Sequence, residues 1–162
     1  MNEQIRLANS SLSLQLAERI IDAALETKRS YERRPLAVVV LDGGSNLVAF
    51  KREDGCANLR FEIARGKAAA ALGMGMSSRA IRDRLHDRPA FQASIAAASH
   101  GQFTPAPGGV LILDADGVAI GAVGISGDTS DKDEFCAITG VNKSGLSSEP
   151  AKPVSDWNQS HL

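Results

Sequence analysis

The sequence is short of most features that announce a specialised class. It holds two cysteines, Cys56 and Cys136, 80 positions apart. That count excludes a disulfide scaffold, and no metal-ligand spacing surrounds either residue. Aromatic residues are 4% of the chain, so its core must be aliphatic and rich in alanine. No apolar run reaches the roughly 18 residues that a helical membrane span requires. Neither charge sign dominates: 18 Lys and Arg face 19 Asp and Glu, a net charge of −1. A protein held to nucleic acid by its phosphates would carry a basic surplus, so no nucleic-acid partner is expected. The opening "MNEQIRLANSS" lacks the apolar centre of a signal peptide, and a reducing, cytoplasmic setting is the expectation.

What is present suits one domain. The 162 residues are 43% apolar, enough for a single core. Spacings of three and four predict a helix over 11–32, with Leu14, Ala17, Ile20, Ile21, Ala24 and Leu25 on one stripe and Ser11 or Ser13 as cap. "LAVVVLD" and "LVAFKRE", joined by "GGSN", predict a hairpin. A helix rich in alanine follows over 59–76, and Gly66 inside it costs about 1 kcal/mol relative to Ala, which implies a close neighbour. Further helices are predicted over 77–88 and 90–99. After the loop "HGQFTPAPGG" come strands "VLILD" and "VAIGAVGIS", and a last helix over 130–141. Hairpins rather than crossovers link the strands, so the fold class is α/β in the α+β sense: a mostly antiparallel sheet with helices packed against it. Residues 1–145 form the domain. Residues 146–162 read as a polar tail, whose Trp157 is expected to dock on a neighbouring subunit.

The stretch "GAVGISGDTSDKDE" over 121–134 invites a phosphate or metal reading. It fits neither Gly-rich phosphate pattern, and Asp128, Asp131 and Asp133 would repel a phosphate. The acidic spacing is wrong for a calcium loop. The plain reading is a strand end and a helix start, with Ser130 as cap and acidic side chains at the positive end of the helix dipole. The strand glycines Gly121 and Gly124 imply close packing beside them.

Three stretches together, "LAVVVLDGGSNLVAFKREDG", "EIARGKAAAALGM" and "PAPGGVLILDADGVAIGAVGISGDTSDKDE", resemble the GlcG/HbpS family. That family is also similar to the C-terminal domain of PduO-type corrinoid proteins. The resemblance spans about residues 12 to 142. It implies a profilin-like fold, self-association into a homo-oligomer and a small-molecule ligand, with heme as a possible cofactor. For this chain the resemblance implies a small-molecule-binding protein of that type, with heme as a candidate ligand; the alternatives are a cofactor-free lyase of aromatic catabolism, acting on a small aromatic acid such as 4-hydroxylaminobenzoate with release of ammonia, and a non-catalytic accessory protein of a catabolic operon.

Glu62 and Lys67 match the family's helix motif, and Pro107, Gly108 and Gly109 its loop before a strand. In an enzyme, Lys67 or Arg65 would hold a substrate carboxylate and Glu62 would move a proton. Gly108 and Gly109 would offer backbone amides to an anion, against the plain reading of a turn. His100 is an acid, base or iron candidate, with Met74 and Met76 as other axial ligands. Arg60 and Arg65 belong to a basic stretch able to meet an anionic ligand. Together with Gly124, these residues presuppose a cavity between the glycine pair and the alanine-lined helix.

Overall fold

The computed structural model describes residues 6, 8–29 and 34–161. Helix α1 spans Leu14–Arg29. Its first turn is capped as the sequence suggests, with the Leu16 amide donating to Ser13 Oγ at 3.2 Å. The predicted continuation to residue 32 lies outside the described residues. Ile20, Ile21 and Ala24 are fully buried, but Leu14 is 56% exposed and does not join their stripe.

Strands β1 (Ala37–Asp42) and β2 (Leu47–Arg52) form the expected hairpin. Helices α2 (Arg60–Met74), α3 (Ser78–Arg84) and α4 (Pro89–Ala98) follow, then β3 (Gly109–Leu113), β4 (Ala119–Ser126) and α5 (Ser130–Lys143). A short β5 (Ser147–Glu149) completes an antiparallel five-stranded sheet in the order β2-β1-β4-β3-β5. Helices α1, α2 and α5 pack directly against the sheet, an α+β architecture. β1, β3 and β4 sit in its middle and are apolar on both faces, as buried strands should be.

Helices α1 and α5 cover one face, and their core includes Ile20, Ile21, Val38, Ile125 and Val141. Helix α2 covers the other with Ala64, Ala68 and Ala71 against Val39, Leu41 and Leu111. A third apolar cluster, Ala70, Ile81, Leu85 and Phe103, ties α3 and the loop after α4 to the outer side of α2. Small side chains let α2 lie almost on the strands. The Gly66 neighbour is Thr104, whose amide donates to the Gly66 carbonyl at 3.1 Å.

The stretch read as a tail begins with a strand. Ser147–Glu149 is polar and carries no apolar alternation, so its β structure comes from pairing with Leu111–Leu113 rather than from its own preference. Trp157 stacks on Phe135 of its own chain, with ring centres 3.7 Å apart and planes 7° from parallel.

Candidate functional site

The inner side of α2 is the first place to look for the expected cavity, and it is filled. Gly109 and Gly124 are paired across β3 and β4 and face the helix. A Cβ on Gly124 would overlap the Ala64 carbonyl oxygen, and one on Gly109 would overlap the Lys67 carbonyl. The two glycines thus admit the α2 main chain, not a ligand. Gly108, at φ +118, lies against Lys67 Nζ and the Ile125 carbonyl. The Gly109 amide is already spent on Ser78 Oγ at 2.7 Å, and that hydroxyl donates to the Ala106 carbonyl at 2.6 Å. Pro107 is buried beside them.

Lys67 is 2% exposed and has no path to a substrate carboxylate. Its ammonium donates to Asp133 Oδ2 at 3.0 Å and to the Ile125 carbonyl at 2.9 Å. Asp133 in turn accepts the Asp128 amide at 3.0 Å through its other oxygen. The pair therefore bolts α2 to the end of β4 and the start of α5. Lys67 is thus held in a buried ion pair rather than presented to a substrate.

The acidic helix start divides by direction. Thr129, not Ser130, occupies the cap position, and its side chain makes no capping bond. Asp133 and Glu134 point inward at 1% and 0% exposure, so neither decorates the helix dipole in water. Arg79 Nε stands 3.2 Å from Glu134 Oε2, but the contact lacks hydrogen-bond alignment and Oε1 has no hydrogen-bond partner among the described residues. Burial pushes the Glu134 carboxyl up to about 7, Asp131 and Glu149 add to the rise, and Arg79 and Arg82 oppose it. A carboxylate raised in the folded state contributes stability below its unfolded pKa, near 4.5, and loses it as pH climbs through about 7. Glu134→Gln should therefore flatten the fall in stability between pH 6 and 8 by about 1 kcal/mol, read by urea unfolding at both pH values. An unchanged slope would mean that Glu134 ionises in the folded protein as it does in water.

The outer side of α2 is different. Glu62, Arg65, Ala69 and Gly73 recur at spacings of three and four, hence on one face. Glu62 is exposed and Arg65 half-buried. Toward the C-terminal end this stripe forms one wall of an apolar cleft of about 250 Å³, lined by Ala69, Gly73, Met74, Ile95, Gln102 and Phe103. Helix α4 and the loop after it form the other wall. His100, exposed and at φ +51, follows Ser99, which also lines the cleft. Of the sequence candidates, Met74 thus lines the cleft, His100 follows one of its lining residues, and Glu62 and Arg65 share the helix face that leads to it. Lys67, Pro107, Gly108, Gly109 and Gly124 lie beneath the helix, and Arg60 lies at its other end, donating to Ser126 Oγ at 3.3 Å.

Several partners were not legible beforehand. Phe103 and Gln102 sit in a Pro- and Gly-rich loop, and Ile95 on a helix with no buried residue of its own. Only the apolar character of Ile95 and Phe103 hinted at a wall. Asp133 looked like a dipole residue, and nothing in its spacing from Lys67 announces the pair. Among the described residues, no three metal-ligating side chains cluster, and no helix is long and apolar enough to cross a membrane.

A family model described as haem degrading protein HbpS-like matches residues 12–142. No match is found among curated proteins. Among solved structures, the PduOC–heme complex aligns with a TM-score of 0.76 at 22% identity, over 85% of this chain and 98% of that one. Klebsiella pneumoniae protein ORFY aligns at 0.75 and 19% identity, over 90% and 97%. HbpS aligns at 0.70 and 22% identity, over 88% and 96%. At these identities the likeness speaks for the fold.

Proposed function

Because the chain belongs to the HbpS-like family, we propose that it is a small-molecule-binding protein whose ligand lies in the apolar cleft between α2 and α4, with heme as the first ligand to test. The cleft itself carries this reading. Its floor is made of Ala69 and Gly73, side chains small enough for a flat ring to lie against the helix. Met74 brings a thioether into the same space, a soft donor of the kind that ligates heme iron. His100 stands on the loop that forms the opposite rim. Arg65, one turn before Ala69 and about 6 Å away along the helix, is placed for a ligand carboxylate.

The fit to a tetrapyrrole is right in chemistry and short in volume. About 250 Å³ is less than the roughly 300 Å³ at which pockets for drug-sized ligands begin, so part of a porphyrin would remain outside the cleft. Bound there, heme would supply redox and ligand-binding chemistry at its iron. The chain's own part is to hold the ring edge by Ile95 and Phe103 and to present Met74 or His100.

Hemin titration of the purified protein, followed by the Soret band, tests this. Gly73 has open space where a Cβ would project, so Gly73→Trp can fill the cleft without disturbing the sheet. It should weaken binding at least about tenfold, equal to about 1.4 kcal/mol. Met74→Leu keeps the apolar volume and should alter the spectrum if the sulfur is a ligand. Absence of binding, or full affinity in Gly73→Trp, would remove the heme reading from this cleft.

A further inference from the structure

A second concavity lies at the opposite end of α2, on the other side of that helix. It has a volume of about 190 Å³ and is lined by Arg34, Pro35, Gly55, Cys56, Arg60 and Gly127. Along the helix it is about 14 Å or more from the apolar cleft, since nine residues separate Arg60 from Ala69. Nothing in the proposed ligand site uses it.

Its charge is unbalanced. Two guanidinium side chains share one small cleft, and no carboxylate among the described residues lies within ion-pair distance of either. Of the acidic groups nearby, Asp54 is exposed to solvent and three others are held in contacts of their own. Glu53 pairs with Lys28 at 2.9 Å and accepts the Leu36 amide at 2.8 Å. Asp133 holds Lys67. Asp128 accepts the amides of Thr129 and Arg34, at 2.8 and 3.3 Å. Arg60 spends one nitrogen on the buried Ser126 hydroxyl, which fixes the side chain over the cleft and leaves its remaining donors for another partner. Two like charges confined together repel, and an anion between them removes that repulsion while accepting forked hydrogen bonds.

We propose that this cleft binds a small oxyanion, a carboxylate or a phosphate, with Arg34 and Arg60 as its cationic walls. The cleft also contains its own reporter. Cys56 is half-exposed in its lining, whereas Cys136 is fully buried. Thiol reagents of opposite charge therefore read the field at one place. A sulfonate-bearing methanethiosulfonate should label Cys56 about tenfold faster than its trimethylammonium counterpart, once each rate is divided by that with free cysteine. Arg34→Gln, at an exposed position, and Arg60→Gln should each pull that ratio toward one. At constant ionic strength, benzoate or phosphate should slow labelling of the unchanged protein, and chloride should not.

Protection by benzoate alone identifies a carboxylate site, and protection by phosphate alone a phosphate site. No charge preference, a ratio untouched in Arg34→Gln, or equal protection by all three salts would overturn the proposal. Labelling is followed by intact mass and by the modified peptide, so a variant that unfolds declares itself by modification of Cys136. The Arg34→Gln arm then decides alone.

Discussion

Gly124→Ala is expected to destabilise the fold by about 3 kcal/mol or more, at the upper end of what added core atoms usually cost. The added methyl would have to occupy space now held by the Ala64 carbonyl, and it would also press on the Ala64 carbon and the Ala68 methyl. A flexible side chain could swing away, but a helix main chain cannot. Relief requires α2 to lift from the sheet, which would loosen its packing on Val39, Leu41 and Leu111 as well. For a domain of this size the loss corresponds to a fall in Tm of about 6–12 °C. Gly73→Ala is the matched control, because that position is also in α2 but meets nothing within 4 Å. There the alanine should raise stability by about 0.5–1 kcal/mol through helix preference alone. Opposite signs for two Gly→Ala changes, measured by thermal and urea unfolding, would establish that Gly124 serves close approach. If Gly124→Ala unfolds like the unaltered protein, α2 does not rest on β4 as described.

The contrast shows where the sequence was informative. Gly124 and Gly66 could be recognised as close-approach positions, because glycine inside a regular element has a cost that some neighbour must explain. The hairpin and the antiparallel class followed from tight turns between β-branched runs. The cap at Ser13 was one of the two serines the sequence offered, because capping is local chemistry. The direction of the contact was not. A glycine pair looks the same whether a ligand or a helix comes near, and only the fold says that α2 does. Edge strand β5 was hidden for a related reason, since Ser147–Glu149 owes its conformation to a partner distant in sequence. The site divides in the same way. Glu62, Arg65 and Gly73 could have been grouped by their helical spacing. The far wall, from Ile95 to Phe103, required the chain to return across α2.

Lys67→Met is expected to cost about 3–5 kcal/mol at pH 8, the usual result of removing one partner from a buried pair. Methionine nearly preserves the shape of the lysine, so lost packing contributes little. What remains is Asp133 at 1% exposure, keeping the Asp128 amide but losing its cation. Burial already holds the Asp133 carboxyl above its ordinary range, while Lys67 pulls the other way. Removing the lysine pushes the carboxyl further up. By linkage, a group raised in the folded state stabilises below its unfolded pKa and loses that contribution as pH climbs through its folded pKa. The variant should accordingly be most damaged at alkaline pH and recover part of its stability toward pH 5, where Asp133 takes up a proton. Adding Asp133→Asn to Lys67→Met removes the stranded charge and retains an acceptor for the Asp128 amide. The double variant should regain at least about 1 kcal/mol at pH 8 and lose most of the added pH dependence, a coupling expected of residues in direct contact. A substrate-holding lysine would behave otherwise, with stability nearly untouched and ligand affinity reduced at every pH. Urea midpoints for the unaltered protein and the two variants at pH 5 and 8, with hemin affinity measured alongside, separate the two roles.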